Sequence, residues 1–441
     1  MSHSQETHAA ARSSRRDFLK TSSALAAAGA LAGSLSIGRS AYAAGNDVLK
    51  IGLVGCGGRG TGAAVNALGA DANCKLVAMA DVFNERLQSS LENIKKEFPD
   101  KVAVNPDHCF LGFDSGKKLI ESGVDVVILG EPPHFRPENL KAAVAAGKHV
   151  FCEKPVAVDA PGVRSILATV EEAKKKNLNI VSGLCWRYDV GVQETMKRVL
   201  DGAIGEIVSI QENYLAGPLS YRPRQPNWTE MEHQLRNWQY FVWLSGDFNN
   251  EQHVHSLDKA AWALREATPV RAWGIGGQQL RNPKECDVYD HHAVTYEYAG
   301  GVHVHSYCRQ MPGCPWDVSD IIFGTKGRAN VLERRIEGEK KWQYKGAPAG
   351  AHMYDFEHER LFAAIRSGET INNGLYMAHS TMMAILGRLV DYTGQPITWE
   401  EMMKSQQTLA PAKYALDATP PVVPGQDGKY PCGTPGVTKF V

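Results

Sequence analysis

Short apolar runs alternate with stretches of helical spacing through the first part of the chain. Residues 48–54 form a β-branched apolar run that passes directly into Gly55-Cys56-Gly57-Gly58-Arg59-Gly60 and then into mostly small residues through Ala70. The run predicts a buried strand, and the small residues a helix packed closely on a sheet. A second strand is predicted over 75–81, ending on Asp81, and a third over 124–129. A helical segment over 137–146 follows, with Gly147 placed as its C-cap and a fourth strand over 148–152. A helix over 160–176 ends in three lysines that suit its C-terminal dipole, and it leads to a strand over 178–183. Strand and helix alternate throughout, which implies a parallel, doubly wound sheet.

Beyond Arg187 the pattern changes to period two, as in 206–211, 293–298 and 302–307. That alternation predicts a second, α+β domain built on a large, mainly antiparallel open sheet. Residues 354–392 are helical in pattern, and 401–441 are rich in Pro and Gly without periodicity, reading as an arm or a disordered tail. The expected units are a leader over 1–43, a first domain over 46–185, a second over 186–400 and the C-terminal arm. A length of 441 residues fits two to three units at roughly 150 residues each.

Lys plus Arg and Asp plus Glu number 48 each, so no overall field favours nucleic acid, and a small molecule is the expected partner. The leader changes the picture more. Ser14-Arg15-Arg16-Asp17-Phe18-Leu19-Lys20 precedes an Ala/Leu/Gly-rich run over 22–37 and then Ala41-Tyr42-Ala43. This is the pattern of a twin-arginine signal peptide, with cleavage expected after Ala43. The run is too short and too rich in small residues for a span of about 20 residues, so no stable membrane anchor is expected. The implied partner is the twin-arginine export machinery, and the implied location periplasmic or secreted. Because that route carries folded proteins, a cofactor is expected to be tightly held. Nine cysteines with no CxxC pair write no zinc module. Most read as small buried hydrophobes, although Cys308 and Cys314 are spaced so that they can close a short loop.

The Gly55–Gly60 loop follows a strand, opens a helix and is succeeded by an acid at the end of the next strand. In that context GxGxxG reads as a dinucleotide site. Gly55 permits the turn, Gly57 and Gly58 let backbone approach a pyrophosphate, and Gly60 lets helix pack on strand. Asp81 would accept from ribose hydroxyls, favouring NAD, while Arg59 stands where it can reach a 2′-phosphate, which keeps NADP open. Glu153-Lys154-Pro155 leaves the carboxyl edge of a parallel strand, where ligands of such sheets bind; the plainer reading is a buried Glu–Lys pair holding a turn. Histidines cluster as His253/His255, His291/His292 and His303/His305, a looser spacing than a metal site requires, and no metal is expected.

These features resemble the glucose-fructose oxidoreductase, inositol dehydrogenase and MocA family (Gfo/Idh/MocA) from about Val48 to Gly394. The matching residues are Gly55–Gly60 with Asp81, Glu131-Pro132-Pro133-His134-Phe135-Arg136, the AGKHV…EKP run, Trp186-Arg187-Tyr188 and Ile322-Phe323-Gly324-Thr325-Lys326-Gly327. The resemblance implies a Rossmann domain, with Pro132, His134, Glu153, Lys154 and Arg187 joining the glycine loop around the cofactor and Lys154 beside the nicotinamide. The stretch from Gly246 to Asp258 is similar to the family's second-domain signature. It puts His255 at the general-base position and Glu251 where most members have Asp. His253 replaces a glycine and, with Tyr214 and Trp238, is a candidate substrate contact. The implied activity is hydride transfer between nicotinamide and a sugar or polyol hydroxyl by a homo-oligomer. The alternatives are an NAD-dependent glycoside hydrolase that oxidises its sugar transiently, and a non-catalytic binder.

Overall fold

The computed structural model describes residues 47–441. The leader and its cleavage point lie outside the described residues.

The first sheet has the order β3-β2-β1-β4-β5-β6, all parallel. Its strands are β1 (Leu49–Val54), β2 (Cys74–Asp81), β3 (Cys109–Leu111), β4 (Val126–Leu129), β5 (His149–Cys152) and β6 (Ile180–Ser182). The predicted strands and the doubly wound order are all present. The additional one, β3, is three residues long at the sheet edge, too short to register as an apolar run. Helices α1 (Gly58–Ala70), α2 (Asn84–Glu97), α3 (Ser115–Glu121), α4 (Arg136–Ala145) and α5 (Ala160–Lys175) cover the two faces. Asp159 caps α5, its side chain accepting from the Gly162 N–H. At the start of α1 the packing is limited by backbone: a Cβ on Gly60 would lie 1.9 Å from the Gly55 carbonyl oxygen, and one on Gly130 would lie 2.7 Å from Gly60 Cα.

After α6 (Val190–Leu200) comes β7 (Ile207–Ala216), then α7 (Glu230–Arg236) and α8 (Val254–Ala263). The sheet continues with β8 (Arg271–Gly277), β9 (His291–Glu297), β10 (His303–Gln310), β11 (Asp317–Gly324), β12 (Gly327–Asn330), β13 (Arg335–Gly338), β14 (Trp342–Gln343) and β15 (Ile397–Thr398). The nine strands have the order β14-β13-β12-β11-β7-β10-β9-β8-β15. The sheet is mainly antiparallel, as expected, but mixed: β7 and β10, both central, run parallel. Alternation reveals a half-buried strand and not the direction of its neighbour, so this pairing is not written in the pattern. One face is covered by α8 and by α10 (Gly374–Thr393). The other carries exposed Val208, Ile275 and Tyr307.

The helical stretch expected over 354–392 is two helices, α9 (Met353–Ser367) and α10, parted at Gly368, whose φ is +73°. Helix α9 returns to the first domain and buries Leu361, Phe362 and Ile365 in the core beside α1. Residues 371–373 follow β6, with the Ile180 N–H donating to the Ile371 carbonyl and the Asn373 N–H to the Ile180 carbonyl. The C-terminal segment is an arm laid over both domains. The Tyr430 N–H donates to the Pro283 carbonyl, and the Tyr289 hydroxyl to the Gly433 carbonyl. All nine cysteines are free, and Cys308 Sγ lies 3.6 Å from Asn249 Oδ1 rather than against Cys314. Among the described residues no helix is long and apolar enough to cross a membrane.

Candidate active site

Strand β1 ends at the glycine loop, where Gly55 takes φ +88°. A Cβ on Gly57 or Gly58 would meet nothing within 4 Å, so open space lies over the N-terminus of α1. Backbone N–H groups and the helix dipole together favour an anion there, so the loop fits a dinucleotide pyrophosphate. Asp81 stands alongside: Oδ2 accepts from the Cys56 N–H at 2.7 Å and Oδ1 from the Phe83 N–H at 2.9 Å, while burial raises its pKa. Next to it a cavity of about 720 Å³ is bounded by Gly57, Gly58, Arg86, Arg222, Trp238 and Gln239. A narrower cavity runs past Asp81, Phe83, Phe113, Pro132 and Phe135.

The Lys154 side chain leaves the carboxyl end of β5 just before a cis Pro155 and reaches the second domain. Its Nζ donates to the Glu251 carbonyl oxygen at 2.5 Å and approaches Glu251 Oε1 at 3.4 Å. Glu251 is itself held, by Gln252 Nε2 at 3.3 Å on Oε1 and by Gln239 Nε2 at 3.4 Å on Oε2. The Tyr214 hydroxyl donates to Gln252 Oε1 at 2.9 Å. Glu251 and His255 do not share a helix: a single turn ends at Glu251 and α8 begins at Val254. His255 makes no side-chain hydrogen bond, and its Nδ1 is buried without a partner. Burial, then the charges of Lys154, Lys259 and Arg59, push its pKa well down, so the imidazole is a neutral acceptor.

Several expected residues stand elsewhere. The Arg59 guanidinium does not face the Asp81 side. Its Nε donates to buried Glu153 Oε1 at 2.5 Å, its Nη2 lies 3.6 Å from Glu357, and it stacks 4.4 Å over Tyr354. Only the backbone of Arg59 belongs to the phosphate loop. Arg187 is spent on structure: Nε and Nη2 grip both Asp258 oxygens at 2.9 and 2.8 Å, Nη1 binds Glu266 at 2.7 Å, and the plane lies 4.0 Å from the Tyr376 ring. With the Asp258 carbonyl also accepting from Nη2, four of its five N–H donors are engaged within the protein, which leaves one on Nη1. His253 is 0 % exposed, its Nε2 2.6 Å from Ser306 Oγ, so it cannot touch a substrate. His253 is thus turned to β10, while the His255 ring, two residues on, lies within the field of the Lys154 charge. His134 Nε2 meets the Tyr414 hydroxyl of the C-terminal arm at 2.8 Å, and burial lowers its pKa to about 4. Pro132 and Trp238 line the two cavities.

Composition and spacing gave no sign of Gln239 or Gln252. Arg86 was within reach, since a cation one turn into the helix after Asp81 faces the cofactor edge. It bears no ion pair within 4 Å, and burial lowers its pKa. Glu357 is separated from the loop by nearly the whole second domain and has no local signal. Among the described residues, no group of three or more His, Cys, Asp and Glu side chains is placed to hold a metal.

Residues 49–181 match the model of the Gfo/Idh/MocA oxidoreductase family, NAD-binding Rossmann fold, and residues 12–32 match the twin-arginine translocation signal sequence. Myo-inositol 2-dehydrogenase of Thermotoga maritima is 30% identical over 295 residues, spanning 65% of this chain and 77% of that protein. The chain belongs to the Gfo/Idh/MocA family. Another relative in the family, inositol 2-dehydrogenase of Rhizobium meliloti, is 25% identical over 342 residues, 74% of this chain and 93% of its own. Levoglucosan dehydrogenase, solved in complex with NADH and levoglucosan, shares the fold at a TM-score of 0.63 and 18% identity, over 80% of this chain and 99% of that one. The protein is therefore an oxidoreductase with an NAD-binding domain and an export signal.

Proposed function

We propose that the protein transfers hydride between a tightly bound nicotinamide and a secondary hydroxyl carbon of a sugar or polyol, in the periplasm or outside the cell. The observation that carries this reading is the contact of Lys154 with Glu251 at the carboxyl edge of the first sheet, with a neutral His255 within the field of the Lys154 charge. Bound nicotinamide supplies the hydride-accepting carbon. His255, neutral and unpartnered, would take the proton from the substrate hydroxyl oxygen as hydride leaves the carbon that bears it. Lys154 donates to the substrate oxygen and balances the charge that develops on it. Glu251 fixes the lysine, and the two glutamines fix Glu251; Tyr214 and Trp238 line the sugar's approach. Asp81 supports NAD, whereas Arg86 and Arg222 favour extra negative charge nearby, so titrations with NAD and NADP decide between them. The open face of the large sheet, with its exposed apolar residues, supports a homo-oligomer.

The test is to purify the exported protein without added cofactor and follow reduced-nicotinamide absorbance across a panel of sugars and polyols. Stoichiometric dinucleotide reduced by one of them is expected, and reoxidation by a second sugar would identify a coupled reaction. Absence of bound dinucleotide would overturn the tight-cofactor reading. Release of an aglycone with no net reduction would replace dehydrogenation by hydrolysis through transient oxidation.

A further inference from the structure

Beneath His255 lies a file of buried ionisable groups that hydride transfer does not use. Lys259 stands one turn along α8 from His255, and its side chain is 1% exposed. Its Nζ donates to the His255 carbonyl oxygen at 2.8 Å, lies 3.1 Å from Asp320 Oδ2 and sits 5.6 Å over the Trp186 ring. Asp320 on β11 is directly opposite Glu212 on β7, and Glu212 is directly beside Ser306 on β10, the partner of His253. Both acids are buried, and neither Asp320 oxygen has a hydrogen-bond donor within the usual geometry. Burial and the neighbouring acid raise Glu212 well above the usual carboxyl range. Lys259 is the one cation paired with Asp320, and Glu212 is the acid beside it in the sheet.

Such a trio costs desolvation that apolar side chains of the same volume would not. Its polar consequence lies at one end, on the turn that carries His255. The ring has no hydrogen bond to orient it, so its position rests on that backbone and its protonation on the surrounding field. We propose that Lys259 is a positioning residue for His255: it anchors the His255 carbonyl and supplies a buried positive charge that opposes a second one on the imidazole.

The other charged groups around His255 are accounted for. Arg59, from the glycine loop, is paired with Glu153 and Glu357, and Lys154 with Glu251. Asp258 on α8 is turned to Arg187, Asp320 is paired with Lys259, and Glu212 stands opposite Asp320 in the sheet. Among these cations Lys259 is the one fixed on the same helix as His255. The inference rests on the role proposed for His255 but can be tested without turnover.

The experiment uses the full-length protein, holding whatever dinucleotide it retains, labelled at histidine Cε1, with the His255 signal identified by its loss in His255→Gln. In Lys259→Met the midpoint of the His255 titration should move upward by about one pH unit, since removing one nearby cation at an effective dielectric near 20 is worth roughly 1–2 kcal/mol. Lys259→Arg, which keeps the cation, should leave the midpoint close to that of the unaltered protein. Glu212→Gln, which keeps the neutral shape, should leave the midpoint in place. If Lys259→Met fails to fold, Lys259→Met/Asp320→Asn removes both halves of the pair and should show a smaller upward movement, since the lost anion partly offsets the lost cation. The acid limb of kcat/KM should move with the midpoint. A folded Lys259→Met or double variant with an unmoved His255 titration overturns the proposal. Failure of every polyol to reduce bound nicotinamide would overturn the proposed reaction, while the titration would still decide the role of Lys259.

Discussion

His255 and His292 show how one side chain type is driven in opposite directions by its neighbours. His255 has cations near it and no acceptor, so it is neutral. Lys154→Met and His255→Gln should each lower kcat/KM by about 10²–10⁴-fold, the usual worth of a positioned acid or base, while dinucleotide binding measured by tryptophan fluorescence persists. His292 is buried with Nδ1 2.8 Å from Asp391 and Nε2 3.2 Å from Asp247. Those carboxylates hold it up at about 9 against an ordinary 6.5, despite burial. Asp247, which also accepts from the Tyr392 hydroxyl and the Tyr289 N–H, is held low and is its charged partner; burial lifts Asp391. Because the folded value is the raised one, this pair contributes fully below pH 6.5, and its contribution is lost as pH rises through about 9. Denaturant unfolding should show that decline, and His292→Ala, which strands two buried acids, should cost about 3–5 kcal/mol. Arg59 and Arg187 were legible as donors but not as to their acceptors, which lie 94 and 71 residues away in sequence. His253 drew notice because it replaces a glycine of the family signature, and that resemblance carries no information on which way the side chain points; the ring is buried against Ser306.

At the level of elements, five strands of the first sheet were legible because they are apolar runs that alternate with helical segments, a pattern that survives without knowledge of contacts; the three-residue β3 was not. The glycine loop was legible for a related reason: its spacing reflects backbone limits. Gly60→Ala would place a methyl 1.9 Å from the Gly55 carbonyl oxygen. It should destabilise the protein by about 1–3 kcal/mol as an overpacked site and weaken dinucleotide binding, read by thermal melts with and without NAD. The parallel β7–β10 pair was hidden because a strand's own alternation is the same beside either kind of neighbour. The arm was half legible. Its lack of periodicity showed that it is neither helix nor strand, but the contact from Tyr414 to His134 needs the first domain already in place.

For the whole molecule, there are two separate sheets, but the chain does not part cleanly between them. Helix α9 belongs in sequence to the second domain and in packing to the first. Export should depend on the leader alone: replacing Arg15 and Arg16 by lysines should keep the protein in the cytoplasm, checked by fractionation, with the dinucleotide content of the retained protein unchanged. The Arg59–Glu357 contact sets an order of events. The phosphate loop emerges early from the ribosome, yet its arginine meets Glu357 only once most of the chain exists, and Asn66 on α1 waits for Asp355 across 289 residues. A nascent first domain is therefore an unfinished one, with an uncovered flank on α1. Completion of the nucleotide-binding half is in this way a report that synthesis has passed residue 357, and a chain cut short before that point would present an exposed apolar flank for proteases to find.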